Sequence, residues 1–240
     1  MDSPPIVIQK VRRKIREVGV LGTLRLLSSR VQSSYREYRW KEEEVQFDRM
    51  YQTDTQYSAA EEATFQAGQP EHHYGYDPIR VSTCQHALQA LLIQYEDFVF
   101  VDFGSGKGRA LLLASHFPFQ QIIGVEITPS LNDVARRNIQ LYKSKRRRCT
   151  KIDSRCAEAS VFPIPEENAV FYFFNPFGSQ VLSQVLTNIE RSLQTFPRDV
   201  FLIYAHPLHR ELMDEAPWLK VVREEKGYDE YTSYTVYGRR

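Results

Sequence analysis

The chain has 240 residues, of which 42% are hydrophobic and 12% aromatic, and its net charge is +1 at pH 7. This is enough for one sizeable core and short for two full domains, so we expect one domain with extensions. No apolar stretch approaches the roughly 20 residues that span a bilayer. The three cysteines form no CxxC pair, and no secretory signal precedes them. We therefore expect a cytoplasmic protein with reduced thiols.

The first predicted element is a helix over residues 6–40, where apolar side chains recur at intervals of three and four. Two glycines, Gly19 and Gly22, are expected to bend it midway. Residues 1–41 carry ten Lys and Arg against three acids, so its other face is basic. The pattern indicates a helix that packs on its own domain or on a partner, and contact with a membrane surface is the alternative. The apolar positions are Val11, Ile15, Val18, Leu21, Leu24, Leu27, Val31 and Tyr35.

The segment 41–80 lacks this periodicity. Between residues 42 and 77 nine acids stand against one basic residue, Arg49, among polar and aromatic side chains. The aromatic content argues against simple disorder, so we expect an ordered lid or linker. We therefore divide the chain into an N-terminal helical extension with its lid or linker, residues 1–80, and one folded domain, residues 81–240.

From residue 81 onward, predicted helices alternate with predicted strands. The helices are 81–95, 108–116, 130–143, 179–195 and 208–214, and the strands are 98–103, 121–127, 150–156, 169–175 and 198–205. Such alternation forms right-handed βαβ units and a parallel sheet covered on both faces. Two last strands, LKVVREE and YTSYTVYG, are joined by KGYDE without a helix, which predicts an antiparallel hairpin. The expected fold is α/β: a Rossmann-like, doubly wound, mostly parallel seven-stranded sheet with a C-terminal hairpin and an N-terminal helical extension.

The segment FVFVDFGSGKGR, residues 98–109, places three alternate glycines where the first strand meets the next helix. In a doubly wound sheet this turn lies at the ligand-binding edge, and glycine permits a close approach of the ligand to the backbone. A Walker loop is excluded, because Lys107 follows Gly106 without the six-residue loop or the Ser/Thr that the pattern requires. The dinucleotide fingerprint GxGxxG would need its third glycine at position 109, where this sequence has Arg109. The interpretation as an NAD-dependent oxidoreductase is therefore weakened but not excluded.

The turn instead reads GxGxG, with Asp102 before it and Glu126 at the end of the next strand, in IIGVEIT. This arrangement resembles the class I S-adenosylmethionine-dependent methyltransferases, in particular an uncharacterised bacterial-type group with a similar GSGKGR, GVE and NPFG series. The resemblance implies S-adenosyl-L-methionine as cofactor, with Asp102 near its methionine end and Glu126 on both ribose hydroxyls. A carboxylate can accept from two vicinal hydroxyls, and a cofactor without phosphates needs no phosphate-binding helix terminus. The implied cofactor-binding residues are Tyr74, Asp102, Gly104, Ser105, Gly106, Gly108, Glu126, Ile127, Glu158 and Asn175.

The third strand runs into CAEASVFPIP. The resemblance puts the acid that meets the adenine amino group at Glu158, just before the strand breaks. Asp153, a few residues earlier, is the alternative.

The fourth strand, AVFYFF, is apolar enough to be buried on both faces, so Asn175 at its carboxyl end lies at the ligand-binding edge. The tripeptide of Asn175, Pro176 and Phe177 resembles the [DN]PP[YF] motif of amino-group methyltransferases, and NPFG and HHYGYDP resemble segments of Dot1-type lysine methyltransferases. A neutral amine could be held by the Asn175 side-chain oxygen and the Pro176 carbonyl, with Phe177 as an aromatic wall. An ordinary strand-to-helix turn is the alternative.

His206, in YAHPLH at the end of the fifth strand, is the candidate catalytic base.

The expected function is methyl transfer from S-adenosylmethionine to an amino group of a protein lysine or a small molecule. A non-enzymatic adaptor that keeps the cofactor fold is the main alternative. The sequence holds no HExxH, no CxxC pair and no acid-rich ligand loop, so no metal is expected. The balanced charge of the core argues against a large nucleic-acid interface, which leaves partner or membrane-surface contact to the N-terminal helix.

Overall fold

The structure is a computed structural model that describes residues 6–57 and 76–240. The chain divides into two compact units, Met1–Val45 and Gln46–Arg240. The domain boundary expected from the sequence, between residues 80 and 81, falls inside the second unit.

The elements of the described residues follow the predicted order. The helices are α1 (Ile6–Tyr51), α2 (Val81–Gln89), α3 (Arg109–Ala114), α4 (Pro129–Leu141), α5 (Ser179–Thr195) and α6 (Glu211–Asp214). The strands are β1 (Val99–Phe103), β2 (Gln121–Glu126), β3 (Ile152–Cys156), β4 (Ala169–Phe174), β5 (Val200–Ala205), β6 (Leu219–Glu225) and β7 (Tyr234–Arg239). Helix α2 ends earlier than expected, because the Tyr95 hydroxyl donates to the Leu88 carbonyl (2.7 Å), which a longer helix would use itself.

The seven strands form one sheet in the order β3-β2-β1-β4-β5-β7-β6. Strands β1 to β5 are parallel, and β7 is antiparallel to both β5 and β6. The Rossmann-like fold and its C-terminal hairpin are therefore confirmed. The strand order reverses between β1 and β4, and the carboxyl ends of strands beside such a reversal are where doubly wound folds bind ligands.

The core has two layers, one on each face of the sheet. Successive side chains of β1 point to opposite faces of the sheet and so contribute to both layers. Val101 and Phe103 pack with the apolar side chains of α5, whereas Phe100 packs with those of α2 and α3. Every residue of β1 is buried, including Asp102, the one acid of this strand. Alternation places Asp102 on the same face as Phe100.

Helix α1 is interrupted at Gly19, where φ is 74° and ψ is 172°. The bend expected there is confirmed, since only glycine adopts this conformation without a Cβ penalty. On this helix Leu21 is 78% and Val31 69% exposed, and packing on the domain or on a partner stays a prediction. Within residues 6–57 and 76–240, no helix is long and apolar enough to cross a membrane.

Candidate functional site

The glycine turn between β1 and α3 depends on the absence of side chains. Gly104, Gly106 and Gly108 have φ values of 78°, 51° and 84°, a left-handed conformation that other residues rarely adopt. A Cβ at Gly104 would lie 2.3 Å from the Cβ of Pro176, and one at Gly106 would lie 2.4 Å from Cε2 of Tyr76. The turn is therefore enclosed between the segment after β4 and the Tyr76 ring.

Glu126 ends β2 with its carboxylate buried beside this turn. One oxygen accepts from the Gly106 N–H and the other from the Thr128 N–H, both at 2.8 Å. An ionised carboxylate has roughly four acceptor sites, so about two remain for a ligand. The side chain thus fixes the turn to the start of α4 and retains hydrogen-bonding capacity.

Asp102 is buried at the end of β1, on the face that also carries Cys84 and Tyr172. Removal from water, together with repulsion from Glu126, raises the pKa of Asp102 to about 8. The carboxyl is therefore largely protonated at neutral pH. Burial also raises the pKa of the Cys84 thiol, which stays protonated.

Lys107 and Arg109, the two cations of the turn, point into the protein: they are 0% and 2% exposed. The Lys107 ammonium donates to Asp54 (2.9 Å) and to the carbonyl of Gln56 (3.0 Å). Both charges serve to hold the segments 52–57 and 76–80 against the turn. The buried structural role of Arg109 is not apparent from the glycine motif, in which it only interrupts the dinucleotide fingerprint. A single arginine at the start of an otherwise apolar helix, RALLLA, is the signal in the sequence that indicates it.

The Arg109 guanidinium makes three of these connections. Its Nε donates to Thr55 Oγ1 (2.8 Å), Nη2 to the Thr55 carbonyl (2.7 Å) and Nη1 to the Ile79 carbonyl (2.9 Å). The Tyr76 hydroxyl donates to the same Thr55 carbonyl (2.8 Å). The expected ordered lid or linker is thus attached at both described flanks, while Tyr74, His72 and His73 lie outside the described residues.

At the ends of β4 and β5, two residues adopt left-handed backbone conformations. Asn175 has φ 40° and His206 has φ 49°. Such conformations cost free energy and cluster at functional sites. Asn175 Oδ1 and His206 Nδ1 are buried, and neither has a hydrogen-bond partner among the described residues. Two unsatisfied polar atoms on adjacent strand ends make this edge a candidate binding site for a polar group.

Aromatic rings surround His206. Its ring centre lies 5.9 Å from that of Phe174 and 4.6 Å from that of Tyr231, which belongs to the loop between β6 and β7. Asp77 also lies near Tyr231, and its charge raises the pKa of the Tyr231 hydroxyl. Although the Asp77 residue is exposed, partial removal of its carboxyl from water raises its pKa, an effect that exceeds the opposing influence of His206, Tyr231 and Arg80. Asp77 and Tyr231 were missed by sequence reasoning, since they come from segments about 150 residues apart without regular periodicity.

Arg80 holds the loop between β6 and β7 in this position. Its guanidinium donates to the Tyr228 hydroxyl (3.0 Å) and to Asp229 (2.8 Å), and lies 5.4 Å from the centre of the Tyr231 ring. Asp229 in turn caps the short turn at 230–232. The Arg80 side chain therefore positions Tyr231 against His206.

The predicted site residues after β4 separate in the structure. Pro176 packs on Gly104, next to Asn175 at the sheet edge. Phe177 was expected to form an aromatic wall, but it is buried in the core with its ring 6.4 Å from that of Phe173. The aromatic wall at Phe177 therefore stays a prediction, while the rings of Phe174 and Tyr231 lie beside His206 at this edge.

The third strand distinguishes the two candidate acids for adenine. Glu126 pairs with Cys156 across the sheet, so Glu158 follows the strand end at the level of Glu126. Asp153 pairs with Ile123, three residues below that edge, and its carboxylate is bound to Arg155. Glu158 is therefore the better placed. The remaining predicted positions are Ile127, which is half-exposed beside Glu126, and Ser105, whose buried Oγ has no partner in the described part of the chain.

No family model and no curated protein matches this sequence. Among solved structures, the chain is similar to an RNA methyltransferase from Salinibacter ruber in complex with S-adenosyl-L-homocysteine, at 20% identity, covering 68% of this chain and 92% of that one, with a TM-score of 0.45. A predicted N6-adenine-specific DNA methylase from Listeria monocytogenes is 16% identical, with 69% and 52% covered and a TM-score of 0.49. A SAM-dependent methyltransferase from Leishmania major is 12% identical, with 67% and 71% covered and a TM-score of 0.48.

These likenesses concern the fold alone, because the identities do not exceed 20% and each TM-score is below 0.5. The fold is the Rossmann-like one expected from the sequence. The resemblance to Dot1-type enzymes is not tested by them and stays a prediction. Among the described residues, no group of three or more His, Cys, Asp or Glu could hold a metal ion.

Proposed function

We propose that this chain is an S-adenosylmethionine-dependent methyltransferase that acts on an amine nitrogen. The observation that carries the proposal is the distribution of charge at the glycine turn. Asp102 and Glu126 are buried beside the turn, whereas the cations Lys107 and Arg109 are bound within the protein. Glu126 therefore offers acceptors for ribose hydroxyls, and Asp102 offers a carboxyl whose ionised form a cationic ligand would favour.

The same turn is unsuited to the phosphates of a dinucleotide. A pyrophosphate needs unpaired backbone N–H groups, usually at a helix N-terminus. Here the N–H groups of Gly104 and Ser105 donate to the Val125 carbonyl, that of Gly106 to Glu126 and that of Gly108 to the Ser105 carbonyl. An NAD-dependent oxidoreductase is disfavoured by these contacts.

The residues at the turn fit S-adenosylmethionine in three places. Glu126 would accept from the ribose hydroxyls with its remaining acceptor sites. Asp102 would lie near the methionine end, where a positive charge lowers the pKa of a buried carboxyl and favours its ionised form. Glu158, just beyond β3, would accept from the adenine amino group, with Ile127 beside the ring.

The edge formed by β4 and β5 fits an amine. The bound cofactor supplies a methyl group activated by a sulfonium, so the protein must hold an acceptor lone pair in line and exclude water. Asn175 Oδ1 accepts hydrogen bonds, and so does His206 Nδ1 when its proton is on Nε2. A nitrogen with N–H donors satisfies both atoms, whereas a hydroxyl has a single proton to donate.

The nitrogen must also lose a proton as it is methylated. His206 Nδ1 can accept it, and Asp77 lies within the same group of side chains. The rings of Phe174 and Tyr231 favour the positive charge that develops on the nitrogen.

The cofactor is tested by calorimetric titration of the full chain with S-adenosylmethionine, S-adenosylhomocysteine and NAD. We expect binding of the two sulfur nucleosides at micromolar Kd and no heat of binding with NAD. Binding of NAD alone would support the oxidoreductase instead, and binding of none of the three would support a non-enzymatic role.

The acceptor is tested by transfer of a labelled methyl group to lysine peptides, small primary amines, a matched set of alcohols, and nucleic acid. We expect product only with the amines, and loss of transfer in Asn175→Ala with the Kd for S-adenosylhomocysteine changed less than about threefold. Transfer to alcohols or nucleic acid would refute the amine and leave the cofactor assignment intact.

A further inference from the structure

Helix α1 carries an exposed apolar stripe. Its members recur at intervals of three and four, and at about 100° per residue they fall within an arc of about 80°. They are Val20, Leu24, Leu27, Val31, Tyr35 and Tyr38, each between 42% and 69% exposed. Contiguous exposed apolar surface of this kind marks an interaction site.

Exposed cations accompany the apolar stripe on one side of the helix. At the helical spacing Arg39 lies next to the edge of the stripe, and Arg25 and Arg36 lie further around the same side; Lys41 lies near the other edge. The one acid between residues 20 and 41 is Glu37, which is paired with Lys41. Long basic side chains beside an apolar stripe can reach outward while their stems stay on the apolar surface.

The apolar stripe and the cations beside it together limit which kind of partner can bind α1. A second copy of the helix would bring two basic segments together, and a nucleic acid would use the cations but leave the apolar stripe in water. An anionic lipid surface satisfies both features, since acyl chains cover the apolar side chains and phosphates neutralise the arginines. We propose that the apolar stripe of α1 binds an anionic membrane surface, with the helix lying in the plane of the interface.

The proposal is independent of the cofactor and is tested with the full chain. Co-sedimentation is measured with vesicles of phosphatidylcholine alone and with vesicles that also contain phosphatidylglycerol. We expect binding to the anionic vesicles that weakens as salt is added, because attraction of exposed cations is screened. Val31→Glu should weaken the binding at least about tenfold, since it places a charge in the apolar stripe.

The matched control is Ser33→Glu, which adds the same charge on the opposite side of the helix. It should weaken binding much less than Val31→Glu. Both substituted positions are exposed, and an unchanged far-ultraviolet spectrum and an unchanged melting temperature of the folded domain exclude a folding defect. Absence of binding to anionic vesicles, or equal losses in the two variants, would overturn the proposal. A dimer in sedimentation velocity that Val31→Glu alone abolishes would assign the stripe to a second copy instead.

Discussion

Replacing Asp102 with asparagine should stabilise the protein increasingly as pH rises. The pKa of Asp102 is raised from 3.8 to about 8 by burial and by repulsion from Glu126. The unfolded chain therefore ionises this carboxyl at lower pH than the folded chain does. The free energy of unfolding contributed by this group is highest below about pH 4 and falls as pH rises to about 8.

The magnitude follows from the size of the shift. About four pKa units at 1.36 kcal/mol each correspond to roughly 6 kcal/mol over the whole range, of which about 4 kcal/mol falls between about pH 5 and pH 8. Asparagine has no charge to bury. The difference in unfolding free energy between Asp102→Asn and the unsubstituted protein should therefore grow by about 4 kcal/mol over that interval.

Denaturant unfolding at a series of pH values measures this difference. Asp97→Asn, an exposed position just before the same strand, is the control and should show no such growth. Because the comparison uses the change with pH, any constant effect of the asparagine side chain cancels. A difference that stays constant between pH 5 and pH 8 would refute the account of Asp102 as a buried, largely protonated acid.

Three further substitutions test the contacts around the turn and the acceptor edge. Arg109→Met should lower the free energy of unfolding by about 3 kcal/mol in denaturant titrations, because the buried Ile79 carbonyl loses the donor that Nη1 supplies. Gly104→Ala should lower it by at least about 2 kcal/mol and abolish nucleoside binding in calorimetry, since the new Cβ would overlap Pro176 at a left-handed backbone position. His206→Asn should lower kcat about 100-fold with the cofactor Kd unchanged.

Each substitution has a control of the same type. Arg146→Met removes an exposed guanidinium and should change stability by less than about 0.5 kcal/mol. Gly178→Ala adds a Cβ where no atom lies within 4 Å and should be tolerated. His209→Asn removes a histidine outside the ring cluster and should leave kcat within about threefold. Equal effects within any pair would contradict the role given to the tested residue.

The strands and the glycine turn could be predicted because their signals are local. Six consecutive apolar residues in AVFYFF can only be buried on both faces, and the sheet has β4 at its centre. The position of Glu126 at the sheet edge could likewise be predicted, because it is the last residue of a strand with a clear apolar pattern. The break at FPIP predicts Glu158 rather than Asp153 as the acid for adenine; the register places Glu158 just beyond the strand end, and its role stays a prediction.

The contacts that complete the site could not be predicted, because their partners are remote in sequence. Lys107 donates to Asp54, and Asp77 raises the pKa of Tyr231, with more than 50 residues between the partners in each case. The turn after β4 shows a different limit. Asn175 has a positive φ, which a sequence motif does not reveal.

The most direct test of the central claim is the affinity of S-adenosylhomocysteine for Glu126→Gln. The carboxylate is proposed to accept from both ribose hydroxyls, so the Kd should rise at least about 100-fold, with Glu126→Asp intermediate and the exposed Glu96→Gln unchanged. Melting temperatures of the same preparations establish that each variant is folded. A Kd for Glu126→Gln equal to that of the unsubstituted protein would contradict the assignment of this edge of the sheet as a nucleoside site.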